Sequence, residues 1–185
     1  MTELLFRDDA YLRNATARVT ALTQTAPRDG SAPQPAVVLD RTVCYYDSGG
    51  QPGDSGTLVW AGGSVAIVDT RRDRESGAIL HVLAGDAVLP AVGDRVTVTL
   101  DWSRRHVHMR YHTALHLVCA ALPGILATGN AIDTTKARID FDLSGVAFDR
   151  AATEARLNAL IAGNHDVSTQ WITDEEMAAQ PELVR

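Results

Sequence analysis

At Asp101 the hydrophobic repeat of this chain changes period. Before that residue, apolar side chains alternate or come in short runs separated by turn residues. After it they recur at three- and four-residue steps. A period of two suits strands and a period near 3.6 suits helices. The change therefore divides the chain into a strand-rich part, 1–100, and a mixed α+β part, 101–185.

In the first part, residues 14–22 alternate, with Ala15, Ala17, Val19 and Ala21 on one side. Segment 24–35 holds Pro27, Gly30, Pro33 and Pro35 and reads as an exposed loop. Short strands are expected at 36–39, 42–45, 56–60, 64–69, 78–83 and 94–100. Gly62-Gly63 marks a hairpin, and 69–77 and Gly93-Asp94 mark turns. Strands at this spacing suggest a small barrel or curled sheet, with half of a β-sandwich as the alternative.

In the second part, residues 103–122 read as one helix with Val107, Tyr111, Ala114, Leu115, Val118 and Leu122 on its apolar face. Asp101 or Ser103 is placed to cap it, and Pro123-Gly124 ends it. Residues 136–143 alternate strictly and read as a strand with Ala137, Ile139, Phe141 and Leu143 facing the core. A helix over 149–162, stopped by Gly163, a strand over 166–172, and a final short helix follow. That last helix is opened by the capping-box spacing of Thr173 and Glu176 and closed by Pro181. Asp140, Asp142 and Asp149 read as solvated surface and helix cap, and Trp60, Trp102 and Trp171 as core or domain-junction packing.

Hydrophobic residues make up 45% of the 185 residues, enough for a core. Two cysteines, Cys44 and Cys119, are too few for a disulfide framework and read as reduced, mostly buried thiols. No apolar run approaches the roughly 20 residues of a membrane helix, and the first residues do not resemble a leader, so a cytoplasmic location is expected. A formal charge of -6 counts against a broad grip on nucleic acid. It leaves room for a local basic patch, and the arginines do cluster, as Arg71, Arg72 and Arg74 and as Arg104, Arg105 and Arg110.

Two segments carry candidate chemistry. His108, His112 and His116 are spaced by four and fall on one helix face, with His106 close by. His112 and His116 can share one zinc ion, because neutral imidazole nitrogens one turn apart converge on a single point. The glutamate of a zinc-protease helix is absent, since Thr113 and Ala114 follow His112. Cys119 lies near the same face but too far along the helix to join both histidines on one ion. Residues 47–57, DSGGQPGDSGT, can turn sharply and approach a ligand closely. They lack the Lys-Ser/Thr ending of a phosphate loop. Gln51 and Asp54 are the polar groups best placed there to hold or act on a small polar ligand, and Thr42 lies just before them. No nucleophile elbow accompanies any serine.

Residues 40–57, 101–118 and 136–143, with the ending from Trp171 onward, together resemble the stand-alone alanyl-tRNA editing proteins. These are relatives of the alanyl-tRNA synthetase editing domain and of the second additional domain of threonyl-tRNA synthetase. The resemblance covers nearly the whole chain. It implies a small N-terminal β-barrel followed by an α/β editing core with a histidine-bearing helix. It also implies hydrolysis of the ester joining serine, or glycine, to alanine tRNA. By position it makes His112 and His116 two zinc ligands. It places Thr42 and the Gly49–Asp54 turn, with Gly50 and Gln51, in the region that shapes the amino-acid pocket; Gln51 and Asp54 are the candidate catalytic residues there. Two further ligands belong, in that family, to a later Cys-Gly-Gly-Thr-His stretch, which begins near where this chain reaches Arg185. Ser48 replaces the first of three glycines in the family pattern, and Cys119 a small residue. Two rival expectations stand beside this one: a catalytically inactive tRNA-binding or adaptor protein on a vestigial editing fold, and a metal-dependent hydrolase of another small ester.

Overall fold

The computed structural model describes residues 1–25, 32–85 and 88–180. Pro27, Gly30 and Pro181 lie outside the described residues. The elements run β1 (Glu3–Leu4), a 3-10 turn (Leu5–Arg7), β2 (Asn14–Gln24), β3 (Pro35–Leu39), β4 (Arg41–Thr42), β5 (Gly56–Trp60), β6 (Gly63–Arg72), β7 (Ile79–Leu83) and β8 (Arg95–Leu100). After these come α1 (Trp102–Ala121), β9 (Ala127–Ile132), β10 (Ala137–Phe141), α2 (Arg150–Ala162) and α3 (Asp174–Ala179). The chain forms two compact units. One is Met1–Arg110 with Ile132–Thr135; the other is Tyr111–Ala131 with the chain from Lys136 onward.

The first unit is a closed barrel in the order β2-β3-β7-β6-β5-β8. Its pairs are antiparallel, and β2 closes on β8 with Asn14 opposite Thr99 and Arg18 opposite Arg95. Closure removes the exposed strand edges that an open sheet would leave. Alternation explains the filling. Along β8, Val96, Val98 and Leu100 point inward while the residues between them face water. They meet Val19, Val37, Leu39, Leu58, Ile67 and Leu83 in one apolar cluster. The β5–β6 hairpin turns at Ala61-Gly62, with Trp60 paired to Gly63.

The strand expected over 42–45 is only Arg41–Thr42. Side chains take the backbone donors that would extend it: Cys44 N–H donates to Thr42 Oγ1 at 3.0 Å and Tyr45 N–H to Asp54 Oδ2 at 2.7 Å. Strands β1 and β4 pair in parallel, an association that two-residue segments could not announce in sequence.

In the second unit, Asp149 caps α2 by accepting from Ala152 N–H at 3.0 Å. Gly163 is right-handed, with φ -66, and the left-handed residue that breaks the helix is Asn164, with φ 44. The capping box of α3 forms as its spacing requires. Residues 166–172 are not a strand: among the described residues no strand pairs with them, and Val167 and Trp171 are 82% and 88% exposed. Unpaired backbone is better hydrated than extended alone. Trp171 is therefore a surface residue in this chain rather than core packing. The second strand of this unit is β9, sequence ATGNAI, which sits beside β10. Its small and polar residues carry no apolar alternation. On β10, Ala137, Ile139 and Phe141 are half-buried, whereas Leu143 lies beyond the strand and is exposed. The order is thus helix, strand, strand, helix, helix.

Candidate active site

The glycine-rich segment is a set of close approaches. Ser48 and Gln51 exchange backbone bonds of 3.1 and 3.0 Å, closing a two-residue turn. Gly49 and Gly50 inside it have φ 58 and 77, the double left-handed conformation that glycine adopts without strain. Gly53 is required for a different reason. A Cβ there would lie 1.9 Å from the Thr70 carbonyl oxygen, so the backbone packs directly on β6. Gly50 O accepts from Ile132 N–H at 3.0 Å, and Gly53 O from Arg104 Nη1 at 2.7 Å.

Beyond the turn sits a buried ion pair. Asp54 is 1% exposed and Arg105 2%. Arg105 Nε lies 2.9 Å from Asp54 Oδ2 and 3.1 Å from Oδ1, and its Nη2 lies 2.8 Å from Oδ2 and donates to Val43 O at 2.7 Å. The pair joins the first turns of α1 to the loop between β4 and β5. Asp101 opens α1 by accepting from Arg104 N–H at 3.1 Å. Burial pushes the Asp54 carboxyl up from its ordinary range; Arg105 and the Tyr45 N–H act in the opposite direction. With its oxygens held by these donors, Asp54 fixes the loop's shape.

Thr42 and Gln51 are both buried, at 0% and 4% exposure, and both fall in the barrel unit. Thr42 Oγ1 lies 2.7 Å from His81 Nε2, and His81 Nδ1 lies 3.2 Å from the Val37 carbonyl oxygen. Burial pushes the His81 imidazole down to about 4, so the ring is neutral. Cys44 is buried beside Thr42 and Thr70, and burial raises its thiol to about 12, which makes it inert at neutral pH.

In the second unit, α1 carries His112 and His116 with ring centroids 5.2 Å apart and an interplanar angle of 11°. Burial, and then the neighbouring His116, lower the pKa of His112 and so keep its ring neutral. Neutral rings are what a metal requires. Among the described residues, no group of three or more His, Cys, Asp or Glu is arranged to hold a metal ion. His106 is elsewhere, stacked on Trp102 at 5.5 Å. His108 is 1% exposed, and its buried Nδ1 has no hydrogen-bond partner among the described residues.

The arginine clusters separate on inspection. Arg71 pairs with Asp69 at 2.6 Å, Arg104 holds Gly53 and Arg105 is in the core. Arg72 and Arg74 line a groove of about 390 Å³ with Tyr46, Ser48 and the carboxylates of Asp47 and Asp73. Two features of this region are not evident in the sequence, His81 and the pairing role of Arg105. For His81 a signal existed: one ionisable residue centred in ILHVL must be buried and hydrogen-bonded.

A closed six-strand barrel followed by a histidine-bearing helix defines an α+β editing-type fold, and residues 3–104 match the family described as tRNA synthetases class II (A). The chain is 35% identical to the alanyl-tRNA editing protein AlaX-M of Methanosarcina mazei over 95% of this chain and 70% of that protein. It is 37% identical to its namesake in Methanosarcina acetivorans, over 95% of this chain and 71% of that protein. An alanine–tRNA ligase of Pyrobaculum aerophilum is 32% identical over 97% of this chain but only 19% of the ligase. The chain belongs to the alanyl-tRNA editing protein family. Among the described residues, no helix is long and apolar enough to cross a membrane.

Proposed function

We propose that this protein is a zinc-dependent deacylase that removes serine, or glycine, wrongly esterified to alanine tRNA. The observation that carries the reading is the His112–His116 pair, in a chain of this family: two stacked rings one turn apart, one of them kept neutral by burial. His112 and His116 would hold the zinc, which when bound supplies an acidified water and a Lewis acid for the ester carbonyl. The chain's own residues do the rest. The Ser48–Gln51 turn and the packing of Gly53 hold the loop rigid, and Asp54 with Arg105 anchors it. The family resemblance gives Thr42 and Gln51, both buried in the barrel unit, part of the selection of the amino acid. A site that pairs a serine hydroxyl leaves polar groups unpaired when alanine is bound, which favours the wrong ester over the right one.

The purified full-length protein, given seryl-tRNA for alanine, is expected to release serine at a rate that follows its zinc content. A protein that stays metal-free in excess zinc and does not hydrolyse the ester at high concentration is instead the vestigial adaptor. Hydrolysis of other small esters with no turnover of the seryl-tRNA points to the third reading.

The tRNA backbone is assigned here to Arg72 and Arg74, beside Tyr46 in a groove they share with Asp47 and Asp73. Arg72→Ala with Arg74→Ala is expected to weaken tRNA binding. It should also flatten the plot of log affinity against log salt by about 0.7–0.9 for each phosphate no longer neutralised. Filter binding across a salt series measures both, and an unchanged slope places the tRNA elsewhere.

A further inference from the structure

A cavity of about 770 Å³ in the barrel unit has no task in the deacylase reading. Its volume falls within the roughly 300–1,000 Å³ of small-molecule sites. Leu4, Val38 and Ile79 line it with apolar surface, and Tyr46 adds an aromatic ring. Arg7 and Arg72 bring two cations against the single carboxylate of Asp40. That carboxylate is held in place by the Arg18 N–H, which donates to Oδ1 at 2.8 Å. The Tyr46 ring is fixed too. It stacks on Tyr45, with centroids 5.8 Å apart and planes 6° apart, and meets Phe6 edge-on at 6.3 Å. The Arg72 guanidinium lies 6.0 Å from the Tyr46 centroid, at the outer limit of a cation–π contact, a loose hold that leaves it able to turn to an anion. Tyr46, Arg72 and Gly77 also line the groove of Arg74, so the two spaces adjoin.

These walls set the chemistry of an occupant. Apolar surface beside a fixed ring suits a flat ring, two arginines suit a phosphate, and a carboxylate suits a hydroxyl or amine that donates. A nucleotide carries all three. A fatty acid has neither a ring for Tyr46 nor a donor for Asp40. The adjoining groove favours a strand over a free nucleotide, because the chain can continue toward Arg74. In that groove two arginines stand with two carboxylates, so it adds length rather than net charge. The cations outnumber the carboxylates in the cavity, and the phosphate belongs there. We propose that the cavity takes one unpaired nucleotide of an RNA strand, its base inside beside Tyr46 and its phosphate between Arg7 and Arg72. The inference rests on the tRNA-binding part of the proposed function and deepens it. A base paired and stacked in a duplex does not offer its faces, so the site selects a single-stranded segment.

The test titrates a fluorescently labelled single-stranded RNA hexamer with the full chain and reads its anisotropy. Tyr46→Leu keeps the bulk and removes the aromatic face. It is expected to weaken binding about tenfold, the worth of one stacked base, while Tyr46→Phe keeps the wild-type affinity. Arg7 is exposed and lines the cavity but not the groove of Arg74. Arg7→Ala should weaken binding and flatten the plot of log affinity against log salt by about 0.7, the value for one phosphate of a single strand. A blunt RNA duplex of equal length should not displace the hexamer, and a nucleoside monophosphate should do so only at far higher concentration. An affinity unmoved in Arg7→Ala or in a folded Tyr46→Leu protein overturns the inference. So does equal displacement by the duplex or by the monophosphate. The Arg7 variant decides the matter even if Tyr46→Leu fails to fold. A wild type that releases serine from seryl-tRNA but binds no hexamer overturns the inference and leaves the deacylase standing. One that binds the hexamer through Tyr46 and Arg7 yet releases no serine keeps the inference and overturns the deacylase.

Discussion

Arg105→Leu is expected to cost about 3–5 kcal/mol of folding stability, which in a chain of this size lowers the melting temperature by roughly 10 °C. The substitution leaves a carboxylate that is 1% exposed without its paired guanidinium, and only the more distant Arg104 charge acts on it. Tyr45 N–H remains bonded to Asp54 Oδ2, but one neutral donor does not compensate a buried charge. The pH dependence has a definite sign. Burial already raises the Asp54 carboxyl, and removing Arg105 removes the main opposing influence, so the folded pKa rises further above the unfolded one. A raised carboxyl contributes its full stability only below the unfolded value and loses it as pH rises through the folded value. The gap between wild type and variant should therefore narrow as pH falls and Asp54 takes up a proton. Asp54→Leu combined with Arg105→Leu should recover much of the loss, because no charge then remains buried. Urea unfolding at several pH values checks all three. A cost below about 1 kcal/mol at neutral pH, the range of an exposed pair, would show that this bridge does not anchor the loop.

The same pair shows what the sequence could and could not convey. The strands of the barrel were legible where alternation is strict, as at Val96, Val98 and Leu100, and α1 was legible from its three- and four-residue steps. The turn at Gly49-Gly50 was legible because two left-handed residues in a row all but require glycine. Long-range polar pairings were not. Arg105 stands in a run of charged residues that reads as surface, and only the closed barrel brings it to Asp54, fifty-one positions earlier. Local competition misled at Cys44 and Tyr45, whose apolar and aromatic character suits a strand while their N–H groups are taken by side chains. Residues 166–172 failed for the opposite reason: the alternation is present, but no strand among the described residues pairs with it. The shared face of His112 and His116 was the most readable placement of all, since a four-residue spacing and a stacked ring pair are the same statement in two languages.

His112→Ala and His116→Ala are each expected to reduce the zinc-dependent hydrolysis of seryl-tRNA for alanine by about a thousandfold or more. A metal stabilises a developing charge by several kcal/mol, and roughly 4 kcal/mol corresponds to that factor. Zinc content should fall with the rate, because a site robbed of one of its nitrogen donors holds the ion far more weakly. Folding should suffer little. His116 is exposed and His112 half-buried, so neither truncation opens a large cavity. His106→Ala is the matched control on the same helix. Its ring stacks on Trp102, away from the pair, and zinc content and rate should stay near wild type. His116→Cys offers a second check, since a thiolate also binds zinc and should recover part of the metal that alanine loses. Metal analysis beside single-turnover kinetics distinguishes the cases. If His112→Ala and His116→Ala keep both their zinc and their rate, the ion sits elsewhere and the stacked pair is only a packing contact. If they lose the rate and keep the zinc, the pair acts on the substrate directly, and the metal role assigned to it is wrong.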